Sequence, residues 1–263
     1  MRRILNFDCA GVALAATLDD GARETGLLVV SGGNEIRIGA HRGMVMLAGE
    51  IAAQGHPVFR FDRRGIGDSE GLNGGFRSSA PDIEAAVAAF RARCPQLSRI
   101  VAFGNCDAAS ALVLHRPTGL SGLVLANPWV VEPTGEMPAR AAIRARYADR
   151  LRDPKAWLGL LTGAIDLKKL ARGLLRLARP QPPSSLSLAV AKGIAAFPGP
   201  VTILLASRDG TAIAFADEWE KPDFAIARIK PDLSLIRLDS ASHSFANAGD
   251  KAALKATLLK ALA

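Results

Sequence analysis

Short apolar runs recur along the chain and alternate with stretches of helical spacing. Gly26-Leu-Leu-Val-Val-Ser31 is continuous and ends in Gly32-Gly33, the pattern of a strand buried on both faces of a sheet. Pro57-Val-Phe-Arg-Phe61, Arg99-Ile-Val-Ala-Phe103, Gly122-Leu-Val-Leu-Ala126, Val201-Thr-Ile-Leu-Leu-Ala206 and Leu233-Ser-Leu-Ile-Arg-Leu238 predict further strands. Ile4 to Leu18 predicts two short strands with a turn near Gly11. Between the strands, Arg42–Gln54 has helical spacing and meets a stop signal at Gly55. Ala80–Arg93 is predicted helical, with Pro81 at its start and Asp82 and Glu84 in its first turn. Ala108–His115 and about Asp250 to Leu262 complete the helices. Strands alternating with helices predict a mostly parallel central sheet covered on both faces.

One interval breaks the alternation. From Pro128 to Pro200 only helical patterns occur, interrupted by Pro133, Pro138, Pro154, Pro180, Pro182 and Pro183. This predicts a core formed by residues 1–127 and 201–263, with residues 128–200 inserted as a helical lid. The formal net charge of +8 sits in the same place. Residues 137–180 hold eleven Lys or Arg against three acids, while the remainder balances 22 bases against 22 acids. Leu167, Leu170, Leu174, Leu175 and Leu177 interleave with Lys168, Lys169, Arg172, Arg176 and Arg179, a basic amphipathic pattern. A solvated helical face explains it equally well. As a functional feature it suits an anionic part of a substrate, or peripheral contact with a membrane surface. Nucleic acid is the weakest choice, because aromatics are 5% and only Tyr147 and Trp157 offer stacking there.

Composition narrows the class. A hydrophobic fraction of 49% and a charged fraction of 22% over 263 residues exclude a disordered chain and a disulfide-stapled miniprotein. No long uncharged apolar stretch predicts a membrane span. The first residues carry two arginines without an apolar run, so no signal peptide is expected. Cys9, Cys94 and Cys106 show no metal-ligand spacing; no metal and no cofactor are expected, and a reducing, cytoplasmic compartment is.

In an open sheet of this kind, ligands bind beyond the carboxyl ends of the strands. After Val101-Ala-Phe103 comes Gly104-Asn-Cys106-Asp-Ala108 and then a helix. Strand, tight turn and helix with small flanking residues form a nucleophile elbow, G-x-S-x-G, with cysteine for serine and alanine for the last glycine. A helix N-terminus favours a thiolate there; a plain buried cysteine is the competing reading. Asp209 follows one late strand and His243 the next, which gives the order nucleophile, acid, base. Asp217 and Asp239 are alternative acids. Of the four histidines, His56 is expected at the surface, His115 in a structural role, and His41 as a pocket residue. In these roles Cys106 attacks a carbonyl carbon, His243 carries the proton and Asp209 orients the imidazole. The oxyanion donors would be the backbone N–H of Asp107 and that of Gly33 or Asn34. His41 and Trp129 are candidate substrate contacts; Met44, Trp129, Leu158 and Leu161 could line the pocket, though as an apolar set they also suit plain core.

These segments carry a family resemblance. Phe61-Asp-Arg-Arg-Gly-Ile-Gly-Asp-Ser69 resembles the D-x-R-G-x-G-x-S segment of α/β-hydrolases of the serine aminopeptidase and lipase-like branch. Ser31–Arg42, Arg60–Gly71 and Gly104–Ser110 together resemble the exosortase A system-associated hydrolases, type 1. The cysteine elbow alone also resembles dienelactone hydrolase. The resemblance implies an α/β-hydrolase fold, a cysteine nucleophile and a link to bacterial envelope or exopolysaccharide systems. Asn34 departs from the proline of that family, and since proline cannot donate, Gly33 is the better oxyanion donor. The expected reaction is hydrolysis of a small-molecule ester or thioester. Acyl transfer by the same intermediate, or a non-catalytic role binding an anionic lipid or partner, are the alternatives. The oligomeric state is not legible.

Overall fold

A computed structural model describes residues 1–131 and 184–263. The basic segment 137–180 and most of the predicted lid, with Leu158 and Leu161, lie outside the described residues.

Eight strands form one sheet: β1 (Arg2–Cys9), β2 (Val12–Asp19), β3 (Thr25–Val30), β4 (Val58–Phe61), β5 (Arg99–Asn105), β6 (Gly122–Ala126), β7 (Val201–Ala206) and β8 (Leu233–Leu238). Their spatial order is β1-β2-β4-β3-β5-β6-β7-β8. Only the β1–β2 and β2–β4 pairings are antiparallel. The first is a hairpin whose two-residue turn puts Ala10 at φ 52° and Gly11 at φ 83°, the left-handed pair that matches the twist of its strands. From β4 to β8 every pairing is parallel. Parallel pairing demands crossovers, and these deliver the loops after β3, β4, β5, β6, β7 and β8 to one edge of the sheet.

The helices among the described residues are α1 (Gly43–Ala52), α2 (Ala80–Arg93), α3 (Asp107–His115), α4 (Ser185–Ala196), α5 (Gly210–Trp219), the single turn α6 (Ala225–Arg228) and α7 (Ala248–Leu262). They cover both faces. Alternation along β3 sends Leu27 and Val29 to one side, against Leu47 and Ile51 of α1 and Leu254 and Leu258 of α7. Leu28 and Val30 face the other side, in the cluster with Ile83 and Phe90 of α2 and Phe215 of α5. Each such fully buried side chain contributes about 1.5–3 kcal/mol of hydrophobic stabilisation. The architecture is the predicted α/β-hydrolase fold.

Two features were not legible as elements. The helix α5 buries Ala212, Phe215 and Trp219 at helical spacing, and Asp209 at its N-cap accepts from the N–H groups of Thr211 (3.0 Å) and Ala212 (3.1 Å). The helix α4 falls in the interval read as insertion. It packs on α3 within the main core, through Leu186, Val190 and Ile194.

Candidate active site

The elbow between β5 and α3 is built by steric constraint. A Cβ on Gly104 would lie 2.8 Å from the backbone of Ala108 and Ala109, so strand and helix cross where only glycine fits. Cys106 sits at the apex with φ 60° and ψ −126°, a conformation that a non-glycine residue rarely adopts. Its N–H donates to the Ala126 carbonyl (3.0 Å) and its own carbonyl accepts from Trp129 N–H (3.2 Å). The backbone is therefore pinned from both sides while the side chain stays partly exposed.

His243 and Asp209 come to this apex from the ends of β8 and β7. The Nδ1 of His243 lies 3.0 Å from Oδ2 of Asp209. That oxygen also accepts the two α5 N–H groups, so the helix cap fixes the acid that orients the imidazole. Burial works to raise Asp209. The hydrogen bond and charge of His243, with the N–H groups of Ala212 and Thr211, outweigh it and hold the carboxyl below its ordinary value. His243 is pushed up to about 10, first by its hydrogen bond to Asp209 and next by its hydrogen bond to Cys106, against desolvation. Imidazole and carboxylate are thus hydrogen-bonded beside the thiol of Cys106. The alternative acids are elsewhere: Asp239 pairs with Arg208 at 2.8 Å, and Asp217 lies 3.7 Å from Lys221.

A buried amide that the sequence reading missed holds this arrangement together. Asn127, just after β6, is fully buried. Its Oδ1 accepts from Ala206 N–H (2.8 Å) at the end of β7, and its Nδ2 donates to the His243 carbonyl (3.2 Å) and Asn105 Oδ1 (3.3 Å). Asn105 Nδ2 donates to the same His243 carbonyl at 3.1 Å. One side chain therefore links the loops of all three reacting groups. Its only local signal was polarity directly after an apolar strand. On the far side, Phe245 is buried with φ 54°, and Ser242 Oγ accepts from Ala246 N–H (2.8 Å), closing the turn that presents His243.

The loop after β3 borders the elbow. A Cβ on Gly32 would lie 2.3 Å from the Asn105 carbonyl oxygen, so only glycine allows this approach. The Gly33 N–H donates to Asp107 Oδ1 at 2.6 Å, and the Gly33 carbonyl accepts from Arg63. Asn34 is exposed, with its Oδ1 accepting from Asn73 (2.9 Å). A cavity beneath this loop is lined by Ser31, Gly32, Glu35, Met44, Asn105 and Phe245 among others. Met44 is thus where a pocket residue was expected. His41 is exposed with φ 52° and lies outside that lining, and Trp129 is half-buried against the α3 side of the core. His115 is structural as expected, its Nε2 3.0 Å from the Phe76 carbonyl oxygen. His56 is not at the surface: it is buried with Nδ1 2.8 Å from the Thr25 carbonyl oxygen.

The topology and the elbow define an α/β-hydrolase. The profile of the family described as serine aminopeptidase, S33, matches residues 27–172, more than half of the chain, and the chain belongs to that family. Among curated proteins no relative matches. Among solved structures, the chain is similar to the esterase Pf2001 of Pyrococcus furiosus, at 15% identity and TM-score 0.66, covering 100% of this chain and 94% of that one. It is similar to the α/β hydrolase GrgF from Penicillium sp. sh18, at 15% identity and TM-score 0.67, covering 100% and 99%. The proline iminopeptidase-related protein TTHA1809 from Thermus thermophilus aligns at 20% identity and TM-score 0.60, covering 100% and 99%. At these identities the likeness is one of fold. No described helix is long and apolar enough to cross a membrane.

Proposed function

We propose that this hydrolase cleaves carboxylic esters or thioesters through a thioacyl-enzyme on Cys106. The observation that supports this most is the His243–Asp209 hydrogen bond brought to Cys106 at a strained elbow, with Cys106 near enough to raise His243. The sulfur of Cys106 attacks the substrate carbonyl carbon, and His243 holds or takes its proton. The tetrahedral oxyanion is met by the N–H groups of Asp107 and Gly33. The C–O or C–S bond to the leaving group breaks as His243 returns the proton to it. Water then attacks the thioester, His243 takes its proton, and the acid leaves as the thiol is restored. Asp209 keeps the imidazole in the tautomer that performs both transfers.

The family is named for serine, and cysteine at the apex favours substrates activated enough for a soft nucleophile, of which thioesters are one class. The esterase among the structural neighbours accords with acyl-ester chemistry. The basic segment 137–180 suits an anionic group on the substrate, such as a phosphate, a carboxylate or coenzyme A, or contact with a membrane surface. A role in bacterial exopolysaccharide or envelope systems rests on the resemblance of the three segments given above.

The test compares wild type with Cys106→Ala on p-nitrophenyl esters of increasing acyl length and on acyl-coenzyme A thioesters. Turnover lost in the variant, with an acyl adduct on Cys106 by intact mass, is the expected result. A folded wild type that turns over nothing and carries no adduct overturns the reading.

A further inference from the structure

The expected oxyanion donor is already taken. The Gly33 N–H points at Oδ1 of Asp107, 2.6 Å away, and Asp107 directly follows Cys106. An oxyanion formed at Cys106 would need that N–H while a carboxylate sits on it. The two negative charges would then compete for one donor in a partly buried site.

The structure also holds the group that resolves the conflict. Arg63 is 3% exposed. A guanidinium offers five N–H donors. One donates to the Gly33 carbonyl, and the buried Nε has no partner at all. Its terminal nitrogen lies 4.0 Å from Oδ2 of Asp107, an ion contact too long for a hydrogen bond. Burial already works against the charge of Arg63, and Asp107 supports it. A travel of about 1 Å would turn the long contact into a charge-assisted hydrogen bond. The same rotation would free the Gly33 N–H.

We propose that the Asp107 carboxylate is a displaceable occupant of the oxyanion donor and that Arg63 is the positioning residue that receives it during turnover. The proposal rests on the cysteine-hydrolase reading. In the resting site Asp107 satisfies the Gly33 N–H; when the oxyanion forms, the carboxylate turns to Arg63, whose charge offsets both anions. Arg63 touches no reacting atom and acts only through Asp107.

The test is a double-mutant comparison of kcat and KM on an ester that the wild type turns over. Arg63→Met is expected to lower kcat about a hundredfold with KM little changed, because the carboxylate keeps the donor. Arg63→Lys should recover part of that loss. Asp107→Ala should raise kcat, and in that background Arg63→Met should cost nothing further. An equal loss from Arg63→Met in both backgrounds assigns Arg63 to packing alone and overturns the proposal. A kcat at or below wild type in Asp107→Ala overturns it too. Thermal melts confirm folding; should Arg63→Met not fold, Arg63→Lys carries the same comparison. A wild type inactive on every ester sinks the hydrolase reading itself, whereas an active wild type without the coupling sinks only this proposal.

Discussion

Two buried polar clusters flank the centre of the sheet, and they are satisfied differently. At β2 and β4, charges answer charges. Arg60, 1% exposed, donates to Asp19 (3.1 Å) and to the Arg37 carbonyl (2.7 Å). Asp19 also pairs with Arg2 at 2.6 Å, and Arg37 pairs with Asp62 and with Asp68 at 2.8 Å. Each carboxylate there faces at least one guanidinium. At the ends of β5–β8 two neutral amides, the buried Asn127 and the half-buried Asn105, stand behind the ionic pair of His243 with Asp209. That pair is half open: the His243 side chain is 40% exposed and Cys106 is partly so. In the first cluster the buried carboxylates of Asp19 and Asp62 are held by guanidinium groups. The second is anchored from behind and open in front. Anchoring by neutral amides fixes geometry without adding a charge that would compete with the reaction.

The comparison predicts opposite consequences of mutation. The largest effect is expected from His243→Ala, about a thousandfold in kcat, with Tm nearly unchanged because the side chain is exposed at its working edge. Kinetics and melting on the same preparation check this; a large drop in Tm with preserved kcat would reverse the assignment of the two clusters. Next comes Arg60→Ala. It leaves the buried Asp19 with Arg2 alone, and a broken buried pair costs about 3–5 kcal/mol. Denaturant unfolding reads that loss, while activity per folded molecule should stay.

Asn127→Ala belongs between the two kinds. It strands the Ala206 N–H and loosens the His243 carbonyl, so kcat should fall about 10- to 100-fold with KM within about twofold. A matching rise in KM would argue for a collapsed pocket rather than a displaced imidazole.

The smallest effect is the pH dependence of the ion pair. The His243 pKa is raised, so the stability it contributes is full below its ordinary value of 6.5 and is lost as pH rises towards about 10. Asp209 is depressed, so its part is present above its ordinary value of 3.8 and disappears as pH falls below it. The gain of wild type over His243→Gln should therefore peak between these limits. With His243 exposed as it is, solvent screening keeps the gain to about 1 kcal/mol. Melting curves from pH 4 to 10 measure it, and a gain that grows above pH 8 contradicts the pairing.

Much of the fold was legible because its signals are local. The runs at 26–31, 122–126, 201–206 and 233–238 are strands within a residue or so. Pro81 and the acids behind it mark α2 correctly. The helix α5 was not among the predicted helices although Ala212, Phe215 and Trp219 recur at helical spacing, and Asp209, singled out for chemistry, was also its capping signal. His56 misled because a histidine before a strand reads as exposed, and only the packing of β3 beside β4 buries it.

The chain by itself determined the strand–helix alternation, the small residues of the elbow, and an acid and a histidine after successive late strands. Each is set by neighbours a few residues apart, where steric limits and side-chain period act directly. Only the tertiary structure decided which acid meets His243, that Asn127 ties three loops together, and that the carboxylate of Asp107 holds the Gly33 N–H beside an underused Arg63. Asn105 and His243 are 138 residues apart in sequence, and Gly33 and Asp107 are 74 apart. Those partners exist only because parallel pairing brings the carboxyl ends of six strands to one edge, where each polar group must find whatever donor or acceptor the crossovers deliver.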